Sequence, residues 1–178
     1  DGTPLVGAQN RYTIAPGYAT AIFQGDMVVP VGTGNIQRHA AGTSAAVVGV
    51  FNGVFYNDPT TQKPTYKNYY PGGITPTQGD ITAFVVDDPD AVFLMDADLS
   101  FVRADLFKNY SVTSATGVTQ TGISSVQLDS SVSGTASTFA VQAIDISQDP
   151  ENSDVTVSNA NILVRINNHF FRSGTGIA

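Results

Sequence analysis

Residues 45–56, Ala-Ala-Val-Val-Gly-Val-Phe-Asn-Gly-Val-Phe-Tyr, constrain the fold more than any other stretch of this chain. In an extended backbone successive side chains point to opposite faces. Here both faces are apolar, because Val48, Val50 and Val54 fall on one alternation set and Val47, Phe51 and Phe55 on the other. A strand buried on both sides needs two layers or a closed barrel around it. Asn52-Gly53 interrupts the run, and that dipeptide marks either a two-residue hairpin or a bulge in a single kinked strand.

The flanking chain reads as more strands. Residues 20–23 and 27–31 are apolar runs separated by Gln24-Gly25-Asp26, where Gly supplies a positive φ and Asp can cap neighbouring amides. Pro30 has no ladder donor, which places its strand at an edge or a bulge. Further strands are expected at residues 11–15, 36–39, 81–86 and 91–95, the last nearly unbroken by polar residues and so expected to be buried. The strand at 81–86 follows a second Gln-Gly-Asp triplet, Gln78-Gly79-Asp80. A change of apolar phase within residues 139–146 predicts a bulge. The alternation over residues 161–169 turns Ile162, Val164 and Ile166 inward and Arg165, Asn167 and His169 outward. Residues 101–108, capped by Asp98 or Ser100, predict the one helix, of about two turns.

Composition fits the same class. Charged residues make up only 13% of the 178, while Ser and Thr together number 33, and β-branched Thr suits exposed strand positions. Half of residues 111–138 are Ser or Thr and Asp129 is the only charge there, so this section is expected to cross the surface as a long excursion. The resulting expectation is one all-β domain over residues 1–178, a small β-barrel or two-layer sandwich with one short helix and long surface loops. Residues 1–10 read as an arm and residues 173–178 as a flexible tail.

Several functions are disfavoured. The net charge of −7, with no Lys or Arg between Lys108 and Arg165, repels phosphate and argues against nucleic acid. No apolar run approaches the ~20 residues of a membrane-spanning helix, so a membrane role is not expected. The absence of cysteine excludes a disulfide framework and thiol chemistry. His39 and His169 stand alone on expected strands and read as exposed residues, no nucleophile elbow or phosphate loop is present, and Glu151 is the sole glutamate. The acidic turns Asp87, Asp88, Asp90 and Asp149, Glu151, Asp154 lack the spacing of a calcium loop and read as turn formers. No enzyme, cofactor or metal is expected. Tyr66, Tyr69 and Tyr70 lie over a barrel edge or serve as interface anchors, since Tyr is enriched at protein contacts.

Three passages resemble structural proteins of tailed-phage virions, of the decoration or cement type. They are residues 18–28, Tyr-Ala-Thr-Ala-Ile-Phe-Gln-Gly-Asp-Met-Val; Val48 to Gly53 leading into Tyr69-Tyr70-Pro71-Gly72-Gly73; and Asp149-Pro150-Glu151-Asn152 followed by residues 164–169, Val-Arg-Ile-Asn-Asn-His. The resemblance implies a small β-barrel, often a homotrimer, assembled in the host cytoplasm, that binds the major capsid protein on the outer surface of the capsid and stabilises it. The contacts then expected are the arm, with Leu5 and Val6, the tyrosines 66, 69 and 70, and the Ser/Thr section. The alternatives are another virion component, such as a head fibre base or tail protein, and a secreted carbohydrate-binding module whose tyrosines stack on sugar rings.

Overall fold

The computed structural model describes residues 9–152, 154, 156–172, 176 and 177. The expected contacts Leu5 and Val6, and most of the expected tail, lie outside them. The described chain is all-β. Six strands form the first sheet: β1 (Asn10–Ile14), β2 (Met27–Pro30), β3 (Ile36–Arg38), β4 (Gly49–Asn57), β5 (Pro64–Lys67) and β6 (Ile81–Val86), in the order β2-β3-β1-β6-β4-β5. A further β2–β4 pairing, Met27 opposite Val50 and Val28 opposite Gly49, closes five of them into a barrel and leaves β5 as a flap on β4. The second sheet follows in sequence: β7 (Val92–Asp96), β8 (Asn109–Val112), β9 (Leu128–Gly134), β10 (Val141–Ile146) and β11 (Asn161–Ile166), in the order β7-β11-β10-β8-β9.

The doubly apolar stretch explains this architecture. Phe51 and Val54 point into the barrel with Ile14, Val28, Ile36, Ile81 and Val85. Val47 and Val50 point outward, where with Met27 and Val29 they meet Ile162, Val164, Ile166 and Val141 of the second sheet. The barrel and sandwich readings are thus both partly right, since a closed barrel carries a sheet on one face. Asn52-Gly53 is a bulge within one strand, not a hairpin: the β4–β6 register shifts between Phe51 and Gly53, and Gly53 adopts φ 146°. Gly49 has a packing reason too, since a Cβ there would lie 2.3 Å from the Val86 carbonyl oxygen.

Other expectations need correction. The helix at 101–108 is a single 3-10 turn, Arg103–Asp105. Two turns of helix hold themselves weakly, and tertiary bonds take the chain elsewhere: the Phe107 amide donates to the Ala143 carbonyl at 3.0 Å and the Tyr110 hydroxyl to the Asp105 carbonyl at 2.7 Å. Residues 20–23 make only an isolated bridge, Ile22 with Tyr70. The Ser/Thr section is no simple excursion, because it holds the end of β8, all of β9 and the fully buried Leu128. In β7 only Phe93 and Met95 pack inward, while Val92 and Leu94 are exposed, because this strand is a sheet edge with one free face. The predicted bulge in β10 lies between Ala143 and Asp145, and Ile162, Val164 and Ile166 are buried as the alternation required.

Both histidines are buried, contrary to expectation. The segment after β11 docks beside the start of β4, with Val47 bridging His169 and the Phe170 amide bonded to the Val47 carbonyl at 2.8 Å. His169 Nδ1 accepts the Phe171 amide at 3.2 Å, which makes the ring neutral with its proton on Nε2. Burial and Arg172 push its pKa down, against Asp87 and Asp88, and burial does the same at His39.

Candidate functional site

Several titratable groups that a sequence search would suspect do structural work. Asp26 is fully buried and ties three segments together. Its Oδ2 accepts the Phe23 amide at 2.9 Å and lies 2.9 Å from Arg38 Nε, while its Oδ1 accepts the Ser124 hydroxyl at 2.5 Å. Arg38 also donates to the Ala115 carbonyl. Burial pushes the Asp26 carboxyl up, opposed by the Phe23 amide, Ser124 and Arg38. Asp80 of the second Gln-Gly-Asp triplet is exposed, so the same turn chemistry serves two ends. Of the acidic turns, Asp87 accepts the Tyr12 hydroxyl at 2.5 Å and the Asn10 amide at 2.9 Å, and Asp90 pairs with Arg172. A polar cleft of about 420 Å³ lies beside Tyr18, Arg38, His39 and Thr113.

The three tyrosines separate into different roles. Tyr70 is a core residue inside the barrel, its hydroxyl donating to the Tyr18 carbonyl at 2.8 Å, and is unavailable to any partner. Tyr69 is half-buried and stacks on Phe23, with ring centroids 5.4 Å apart and planes 6° from parallel. Tyr66 alone projects, at 60% exposure. It sits opposite the exposed Phe55 of β4, and its ring centroid is 6.0 Å from that of Phe84 on β6. The Arg11 guanidinium lies over Phe84 at 5.9 Å. Tyr66, Phe55, Phe84 and Arg11 therefore form an aromatic patch with a cationic border on the outer wall of the barrel. Aromatic and Arg side chains of this kind are the usual anchors of protein contacts. The Tyr66 and Phe84 rings are tilted by 52°, so they offer no flat row for a sugar chain.

A second exposed apolar surface was not expected. Between β7 and β8 the chain presents Leu99, Val102 and Phe107 to solvent, Phe107 at 73% exposure. The buried Phe101 fixes this loop from below, its ring 5.8 Å from that of Tyr110. Phe107 has φ 67°, an uncommon conformation for a bulky side chain. The pattern Phe101, Val102, Leu106, Phe107 imitates a helix, which conceals a loop with outward apolar residues. Comparison with protein-family models, with curated proteins and with solved structures finds no match.

Proposed function

We propose that this protein is a non-catalytic structural component of a virion, binding the outer surface of an assembled phage capsid through the major capsid protein and stabilising it. The supporting observation is the aromatic patch on the barrel wall, Tyr66 and Phe55 with Phe84 and Arg11, set on a closed scaffold. An acidic, sparsely charged skin suits a position outside the shell, away from packaged DNA. A protein that binds only the assembled lattice stabilises it through mass action, in proportion to the logarithm of its saturation. Self-association, as the homotrimer that the resemblance implies, belongs to this reading. Tilted rings favour it over carbohydrate binding, which stacking on coplanar aromatics would have supported.

The test is co-sedimentation of the purified protein with assembled shells, followed by thermal rupture of the particles. Binding at fixed stoichiometry with a raised rupture temperature is expected, and Tyr66→Ala with Phe55→Ala should lower occupancy. A protein that remains in the supernatant would overturn the proposal and direct attention to glycan screening.

A further inference from the structure

The second exposed surface has a counterpart on the same molecule. Where the barrel meets the second sheet, an apolar cleft of about 150 Å³ is lined by Met27, Val50, Phe93, Leu94, Met95 and Val164. Apolar cavities of about this volume accept a benzene ring. Leu94 lines the cleft and is 60% exposed, so the opening lies beside the free edge strand β7. Phe107 supplies a phenyl ring of matching chemistry, held out in water by a backbone bonded to Ala143.

The backbone at Phe107 makes this more than a stray exposed side chain. A left-handed φ at a bulky residue costs free energy and persists only where the surroundings enforce it, which is characteristic of binding and switching sites. Charge points the same way. Arg103, on the Phe107 loop, and Asp96, which follows Met95 at the cleft, are both exposed, and neither has an ion-pair partner among the described residues.

We infer that this protein self-associates by inserting Phe107 of one copy into the apolar cleft of the next, with Arg103 facing Asp96 across the joint. The two surfaces differ, so the contact is heterologous, and its repetition gives a ring where the rotation closes and an open filament where it does not. Leu99 and Val102 flank the ring and exclude water from the joint. This deepens the self-association within the proposed function, and it does not depend on shell binding.

The experiment is sedimentation velocity over a concentration series, with Phe107→Asp and Leu94→Asp as variants. Both side chains are exposed, and unchanged circular dichroism would establish that each variant folds. Wild type is expected to associate, and each variant alone to associate roughly 30-fold more weakly, as for loss of a central contact residue. Mixing the variants restores one intact ring-and-cleft pair, because one supplies the cleft and the other supplies Phe107. A two-chain species in the mixture, absent from either variant alone, supports the inference. Wild-type oligomers that neither variant disturbs overturn this contact and leave self-association standing, and variants that stay monomeric when mixed also overturn it. A wild type that is monomeric throughout overturns both, while co-sedimentation with shells still reports on capsid binding.

Discussion

Phe107 offers a test of whether tertiary bonds hold a left-handed backbone against the preference of the side chain it carries. At φ 67° a Cβ crowds the following carbonyl, at a cost of about 1–2 kcal/mol for an L-residue. Phe107→Gly removes that crowding but adds backbone freedom to the unfolded chain, costing about 0.5–1 kcal/mol. Phe107→Ala discards the same ring and keeps the Cβ, so any partial burial of the ring cancels when the two variants are compared. The difference leaves the Gly variant more stable by about 0.5–1 kcal/mol. For a chain of this size that corresponds to about 1–4 °C in melting temperature. Urea titration and thermal denaturation of the two variants, each with wild type as reference, give the comparison. At an ordinary surface position Ala exceeds Gly, so the expected order is an inversion. An Ala variant as stable as the Gly variant, or more so, would refute the reasoning.

Three further outcomes are expected. Asp26→Ala leaves Arg38 without its buried partner and frees the Phe23 amide and Ser124, so it should cost about 3 kcal/mol or more; a urea midpoint close to wild type would remove the network from the list of fold determinants. Tyr70→Ala should cost about 3–5 kcal/mol, whereas Tyr66→Ala should change stability by less than about 0.5 kcal/mol. Equal effects of the two would contradict their separation into core and surface. Burial holds His39 and His169 below the ordinary value of 6.5, so the folded protein binds fewer protons than the unfolded chain just below that pH. Stability is then complete above about pH 6.5 and falls as pH drops through the window below it. The double variant His39→Gln, His169→Gln should flatten that slope in urea titrations, and an unchanged slope would exclude the histidines as its source. Asp26, raised by burial, contributes with opposite sign in both proteins and cancels in the comparison.

The parts of the fold that were legible in the sequence are those where a period-2 pattern meets a uniform environment. β6 and β11 alternate buried and half-buried residues without a break, and β4 announces its two-sided burial through Val50, Phe51 and Val54, with Val47 just before it. What stayed hidden depends on partners distant in the chain. Tyr70 is interior because Ile22, 48 positions away, bridges to it, and adjacent tyrosines in one short motif give no hint of that. His169 continues the outward set of β11 until the chain turns to dock against Val47, which reverses its exposure. The apolar spacing of residues 101–108 suits a helix, and it is tertiary bonds such as that from the Phe107 amide to the Ala143 carbonyl that redirect the chain. Of the three tyrosines expected at a barrel edge or interface, Tyr66 is exposed and Tyr70 is buried, while Phe55 and Phe84, which lie beside Tyr66, have the pattern of ordinary strand residues.

The order of the two sheets along the chain bears on how the protein is made. All strands of the barrel lie within residues 10–86, and all strands of the second sheet lie within residues 92–166. A ribosome adding roughly 5–20 residues per second needs roughly 4–16 s to add the chain through β11 once β6 is complete. Through that interval the nascent barrel carries an uncovered apolar face, with Met27, Val29 and Val47 awaiting the second sheet. Its five closed strands have no unpaired edge of their own, and the four-residue flap β5 is the one free edge that this half presents. The half of the molecule with two open edges, β7 and β9, emerges only when the surface that receives it is already in place. Vectorial synthesis thus makes the half least able to pair wrongly first.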